Sequence, residues 1–182
     1  DGEVVMDSNT ILNLERVPKT MVVLGAGIIG CEYASMFSMA GTKVHLVDKR
    51  HEILASVDRE IVNHLVERFS HEGMQLWLGT EATKVEVSKT DSDSKSKTKV
   101  ILSNGQKIST DVVLVAQGRF GNTQDLGLEK IGITPDDRGI IKVDEYFRTT
   151  IPHIYAIGDV IGAPALASTS MEQGRAASCH AF

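Results

Sequence analysis

The 182-residue chain is poor in several features that would have decided its class at once. Its 2 cysteines, Cys31 and Cys179, form no C-x-x-C pair, so neither a disulfide framework nor a zinc site is expected, and no metal ligands are assigned. With only 4 prolines, 42% apolar residues and 24% charged residues, it is not a disordered or collagen-like chain. The longest apolar runs, such as Val112 to Ala116, are strand-sized and far short of the roughly 20 residues of a membrane helix, so no membrane partner is expected. Basic charge is in deficit as well. With 19 Lys and Arg against 24 Asp and Glu, the net charge of -5 argues against a nucleic-acid partner. The chain opens at Asp1 with neither an initiator Met nor a basic-then-apolar leader, and the expectation is a piece of a longer, cytoplasmic protein.

What is present is alternation of short apolar runs with helical periodicity. Met21 to Leu24 reads as a strand, residues from Ile28 to Ala40 as a helix ended by Gly41, and Lys43 to Val47 as a second strand closing at Asp48. Such a βαβ unit has parallel strands and a right-handed crossover. Asp58 is expected to cap a second helix with Ile61, Leu65 and Phe69 on its apolar face, Gly73 to close it, and Met74 to Leu78 to form a third buried strand. Thr83 to Val87 and Lys99 to Leu102 alternate as strands of a separate antiparallel layer. The polar stretch Ser88 to Thr98 is expected to be a solvated hairpin loop, and Asn104-Gly105 a two-residue turn into the next hairpin. Asp111 to Ala116 suits an inner parallel strand, Gly139 to Val143 and Ile154 to Ile157 two further strands, and the segment from Leu166 a closely packed helix that includes Met171, Ala176 and Ala177. Tyr155, Met171 and Trp77 are expected in the core. The fold class is α/β: a doubly wound, Rossmann-like parallel sheet with an added antiparallel hairpin layer.

Gly25-Ala26-Gly27-Ile28-Ile29-Gly30 follows a predicted strand and opens a predicted helix, the context that gives a G-x-G-x-x-G match its meaning. Gly25 permits the tight turn, Gly27 the approach of a pyrophosphate and Gly30 close helix packing, while the helix N-terminus offers amides and partial positive charge. Asp48, 18 positions after Gly30, suits hydrogen bonding to an adenosine ribose, which favours NAD. Lys49 and Arg50 follow it. Lys49 reads as ordinary surface charge, whereas Arg50 stands evenly between surface charge and a partner for the 2′-phosphate of NADP.

Gly25 to Ser35, read G-A-G-I-I-G-C-E-Y-A-S, resembles the flavoprotein disulfide reductase family, which includes dihydrolipoamide dehydrogenase and glutathione reductase. Its C-E-Y-A-S part is most similar to the family's soluble pyridine nucleotide transhydrogenase branch. Ala116 to Thr123 is similar to the family segment A-x-G-R-x-x-N-T, His153 to Asp159 to the segment containing Y-A-x-G-D, and Leu166-Ala167-Ser168 and Gln173-Gly174-Arg175 continue the match. The resemblance implies an enzyme using NAD(H), NADP(H) and FAD, in which hydride passes between NADPH and NAD by way of the flavin. The alternatives are a piece of dihydrolipoamide dehydrogenase and an inactive dinucleotide-binding module.

By the same resemblance Glu32 would lie near nicotinamide and flavin, although a glutamate early in a helix is also stabilised by the helix dipole. Gly118 would line the dinucleotide site, and Arg119 would either reach the dinucleotide or pair with an acid. Asp159 would bond the flavin ribitol, with Leu166 and Ala167 facing the flavin. No catalytic residue is assigned. Residues 1–17 and 151–182 would belong to a flavin domain and 18–150 to the NAD(P)-binding domain, with the rest of the flavoenzyme and a homodimer partner outside the chain. Cys31 is expected to be a buried, inert thiol, and Cys179 and His180 to sit on the last helix.

Overall fold

A computed structural model describes residues 4–88 and 97–182, which divide into compact units spanning Asp1–Gly118 and Arg119–Phe182. The first unit is built on strands β1 (Val5–Met6), β2 (Thr20–Leu24), β3 (Lys43–Asp48) and β4 (Gln75–Leu78), with helices α1 (Ile28–Met39) after β2 and α2 (Arg59–His71) after β3. A three-stranded antiparallel sheet follows, made of β5 (Ala82–Ser88), β6 (Lys97–Leu102) and β7 (Lys107–Thr110). The chain then returns through β8 (Val112–Val115) to a parallel sheet of order β1-β8-β2-β3-β4.

The apolar runs form strands because both faces of the sheet are covered, so no position on the inner strands needs to be polar. Met21 and Val23 point to one face, where Cys31 and Ala34 of α1 and Val62 and Phe69 of α2 complete a core. Val22, Leu24, Val47 and Val113 point to the other, against Val100, Leu102 and Ile108 of the antiparallel layer. The expected α/β architecture with its added antiparallel layer is therefore present.

Several local expectations are corrected. In α2 the Asp58 carboxylate accepts the Glu60 amide at 2.9 Å, as a cap should, but the buried side chains are Val62 and Phe69 while Ile61 is 63% exposed. A face built on Val62, Leu65, Val66 and Phe69 satisfies the 3.6-residue period better than steps of four from Ile61. Strand β4 is an edge strand and half-exposed, since it pairs only with β3. The sequence reading missed β1, whose Met6 joins the helix-side core through pairing with β8. Ser88 and Lys97-Thr98 pair as strand residues, with Thr98 buried, and residues 89–96 of the expected loop lie outside the described residues. The β6–β7 connection runs over 103–106, longer than a two-residue turn, with Asn104 accepting the Gln106 amide and Gly105 at φ 83°.

The second unit has a small core of Leu128, Ile133, Ile141 and Ala156, and ends in α3 (Ala167–Ala181). The strands expected at Gly139 to Val143 and Ile154 to Ile157 do not form. Ile140 donates its amide to the Asp136 side chain and Ile141 to the Val160 carbonyl, so no ladder can run there. Tyr155 makes only an isolated bridge with Arg148. In α3 only Ala177 is buried, and Met171 is 60% exposed instead of packed; Trp77 and Tyr155 are part-buried. Among the described residues no helix is long and apolar enough to cross a membrane.

Candidate dinucleotide site

The carboxyl ends of β2, β3 and β8 meet around the turn Gly25 to Gly30, at the end of the sheet where open α/β folds bind ligands. The turn is forced by sterics. Gly25 holds φ at 107°, and a Cβ there would lie 2.5 Å from the Ala116 carbonyl oxygen. A Cβ on Gly30 would overlap the carbonyl of Gly25 itself, so only glycine lets α1 start this close to the strand. Gly27 differs, because its Cβ would meet nothing within 4 Å. The space over Gly27 is open on the side a ligand would approach.

The amides of this turn divide into used and available. Gly25 donates to the Val47 carbonyl at 2.8 Å and Ala26 to Asp48 Oδ2 at 2.6 Å, tying the turn to the end of β3. The Ala26 carbonyl accepts from Leu54, a residue at φ 47° that sequence reasoning did not single out. Nothing in His51 to Leu54 signals this latch beforehand. Gly27 caps α1 without any side-chain bond, and Gly27, Ile28, Ile29 and Gly30 head the helix with no earlier carbonyl to receive their amides. Donors and the helix dipole thus converge on open space, a fit for a pyrophosphate.

Asp48 is buried, and its carboxylate is saturated. Besides the Ala26 amide, it accepts the Arg50 amide at 2.8 Å on Oδ1, Arg50 Nε at 3.0 Å on Oδ1 and Arg50 Nη2 at 2.7 Å on Oδ2. Burial alone would raise its pKa, but the Arg50 fork and the Ala26 and Arg50 amides outweigh burial and hold it at about 2. The side-chain hydrogen bonding that Arg50 donates to Asp48 raises the Arg50 pKa in turn. Arg50 keeps 45% of its side chain exposed. Lys49 and Glu32 are exposed beside the turn and along α1, and Gly118, at φ 113°, follows β8.

Cys31 is buried in the first turns of α1, where its thiol donates to the Ala26 carbonyl at 3.6 Å. Burial first, then the charge of Asp48, pushes the thiol up to about 12, so it stays protonated and inert as expected. Among the described residues there is no cluster of His, Cys, Asp and Glu able to hold a metal ion.

In the second unit, Gly158 adopts φ 76° and donates its amide to Gln173 Oε1 at 2.8 Å. A Cβ on Gly158 would lie 2.9 Å from Ser170 Oγ, so this turn is packed directly on α3. Asp159, Leu166 and Ala167 are exposed; Leu166 caps α3 without a side-chain bond. Arg119 is exposed, and its carbonyl accepts from Arg138. Cys179 is exposed on α3, and the neighbouring His180 Nδ1 lies 2.9 Å from the Tyr155 hydroxyl.

Residues 2–174 match the family model described as pyridine nucleotide-disulphide oxidoreductase. The chain is 46% identical over its whole length to a protein of Mycobacterium tuberculosis named soluble pyridine nucleotide transhydrogenase, and 44% identical over 94% of its length to one of the same name from Chromohalobacter salexigens. It spans 38% and 36% of those relatives. Among solved structures it is similar to LpdA of Mycobacterium tuberculosis, with TM-score 0.87 and 30% identity over 100% of this chain and 38% of that one. It is also similar to RclA, the HOCl-induced flavoprotein disulfide reductase of Escherichia coli, with TM-score 0.84 and 30% identity over 94% of this chain and 38% of that one. With the family model covering nearly the whole chain over a glycine turn whose geometry suits a pyrophosphate, this chain belongs to the pyridine nucleotide-disulphide oxidoreductase family.

Proposed function

We propose that this chain is the nicotinamide-dinucleotide-binding portion of a flavoenzyme that passes hydride between NADPH and NAD by way of FAD. The observation that carries the reading is the Gly25 to Gly30 turn, with open space over Gly27 and uncommitted helix amides behind it, in a chain 46% identical along its length to proteins named soluble pyridine nucleotide transhydrogenase. In this reading residues 18–150 are the dinucleotide-binding domain and 1–17 and 151–182 extend from the flavin domain; β1 nevertheless completes the dinucleotide sheet by pairing with β8, and the compact units divide after Gly118. When bound, the nicotinamide and the flavin supply the hydride chemistry, and the protein supplies position and electrostatics.

The residues divide by task. The amides of Gly27, Ile28, Ile29 and Gly30 hold the pyrophosphate, Ala26 fixes the turn, and Asp48 with Arg50 faces the adenosine ribose. Lys49 adds long-range positive charge. Gly118 lets the dinucleotide lie close to the end of β8, Arg119 contacts it, and Glu32 on α1 faces the nicotinamide end. Asp159 accepts from the flavin ribitol, while the N-terminus of α3 at Leu166 and Ala167 stabilises negative charge on the flavin.

Calorimetric titration of the chain with NADH and NADPH tests the reading: binding of at least one supports it, and binding of neither overturns it. A disulfide reductase is the second reading, favoured by the likeness to RclA. A C-x-x-x-x-C dithiol in the full-length protein would decide for it, since transhydrogenation needs no dithiol.

A further inference from the structure

An ionised carboxylate has about four lone-pair sites, and in Asp48 all are taken by donors of the protein itself. Two of the four bonds come from backbone amides that cannot leave without unmaking the turn: Ala26 on Oδ2 and Arg50 on Oδ1. The other two come from the Arg50 fork, one on each oxygen. A ribose with free 2′- and 3′-hydroxyls brings two O–H donors, and the only acceptor positions it can use on Asp48 are the two that the fork now fills.

We propose, resting on the dinucleotide reading above, that Arg50 is a specificity gate: an unphosphorylated ribose must lift the guanidinium off Asp48, whereas a 2′-phosphate binds the guanidinium where it already lies. Arginine has five N–H donors, and the fork on Asp48 uses two of them. The remaining donors belong to a side chain that Asp48 positions and that keeps 45% of its surface exposed, so phosphate oxygens can reach it. Asp48 is then a positioning residue for the 2′-phosphate site. It does not repel that ligand outright, because the guanidinium stands over its charge.

The test uses ADP-ribose and 2′-phospho-ADP-ribose, which differ only in the 2′-phosphate and carry no nicotinamide, titrated calorimetrically into the chain at low ionic strength. Arg50→Ala is expected to weaken the phosphorylated probe about 10- to 100-fold, the usual range for losing a charge-assisted hydrogen bond, and to tighten ADP-ribose about two- to fivefold by freeing Asp48. Opposite movement of the two probes is the signature. Movement of both in the same direction, or of neither, overturns the gate while leaving dinucleotide binding intact; failure of the unmutated chain to bind either probe overturns both. Arg50→Lys, which keeps the charge but lacks the fork, is expected to tighten ADP-ribose in the same way and decides the matter if Arg50→Ala does not fold. In the unmutated chain, the Arg50 Nε proton resonance should stay hydrogen-bonded with the phosphorylated probe and lose that bond with ADP-ribose; the reverse pattern overturns the gate.

Discussion

The Gly25 turn in the first unit and the Gly158 turn in the second are both glycine turns leading to helices, yet they are held in different ways. Around Gly25 the steric contacts are backbone to backbone: the turn abuts the Ala116 carbonyl, Gly30 abuts Gly25, and the Gly25 amide is tied to the Val47 carbonyl of β3, with the Asp48 side chain adding one bond to the Ala26 amide. Around Gly158 they are made by side chains, Gln173 and Ser170, and the helix beyond buries only Ala177. Backbone contacts cannot give way, whereas side chains change rotamer at small cost. The first turn is therefore preorganised by its own unit. The second leaves the apolar side chains of Leu166 and Met171 exposed.

The sharpest way to break this comparison is a matched pair of alanines. Gly30→Ala places a methyl group against a backbone carbonyl and should destabilise the chain by about 3 kcal/mol, abolishing dinucleotide binding in the same stroke. Gly174→Ala in α3 meets only the tip of Ile157, at 3.2 Å, and gains helix propensity, so it should fall within about 0.5 kcal/mol of neutral. Urea unfolding of both variants measures the difference. Equal effects would mean that the two turns are held alike.

Next in size is the acid dependence of the first turn. The Asp48 pKa is held at about 2 against an ordinary 3.8, so its contribution is complete above about pH 4 and is lost as pH falls through 2. Over that window the linkage amounts to roughly 2 kcal/mol. Asp48→Asn should flatten the stability profile between pH 4 and 2, measured by thermal unfolding across pH; an unchanged profile would show that the fork contributes nothing.

The same contrast explains what could be read in advance. The Gly25 turn was legible because sterics and hydrogen bonding there are local: strand, three glycines, helix and Asp48 occur within 28 residues, from Met21 to Asp48. The saturation of Asp48 was not legible, since Arg50 two residues later signals equally a free cation and a folded-back fork. Between Gly139 and Ile157, apolar runs suggested strands, but pairing is a long-range property and the amides found turn and loop acceptors instead. The Ile61 error in α2 was one of phase: both faces carry apolar residues, and only contact with the sheet decides which is buried.

A smaller effect is expected at the β3–β4 edge. Buried His45 accepts the Trp77 indole N–H on Nδ1 at 3.1 Å, which requires that nitrogen to be unprotonated. Burial, then Lys43, lowers the His45 pKa below 6.5, so the neutral form is the stable one and its contribution fades as pH drops below 6.5. Trp77→Phe should cost about 1 kcal/mol at pH 8, read by urea unfolding, and should weaken the pH dependence below 6.5.

The smallest effect on the chain belongs to Asp159, and it separates the two regions most cleanly. Asp159 is exposed and opens the short 3-10 turn Gly158–Ile161, with its backbone carbonyl receiving the Gly162 amide. Replacing its side chain leaves that bond and the Gly158–Gln173 bond in place, so Asp159→Ala should change the stability of this chain by no more than about 0.5 kcal/mol. Asp48→Ala, which strips the buried pairing from Ala26 and Arg50, should cost several times more. In the full-length protein the ranking should turn around for flavin retention: a ribitol hydrogen bond to a carboxylate is worth about 1.5 to 3 kcal/mol, so Asp159→Ala should weaken FAD retention roughly 10- to 100-fold while Asp48→Ala leaves it nearly unchanged. Measuring bound flavin by absorbance after dialysis, beside thermal unfolding of the short chain, gives both readings. If Asp159→Ala destabilises the short chain as much as Asp48→Ala does, its carboxylate serves the turn and not a flavin.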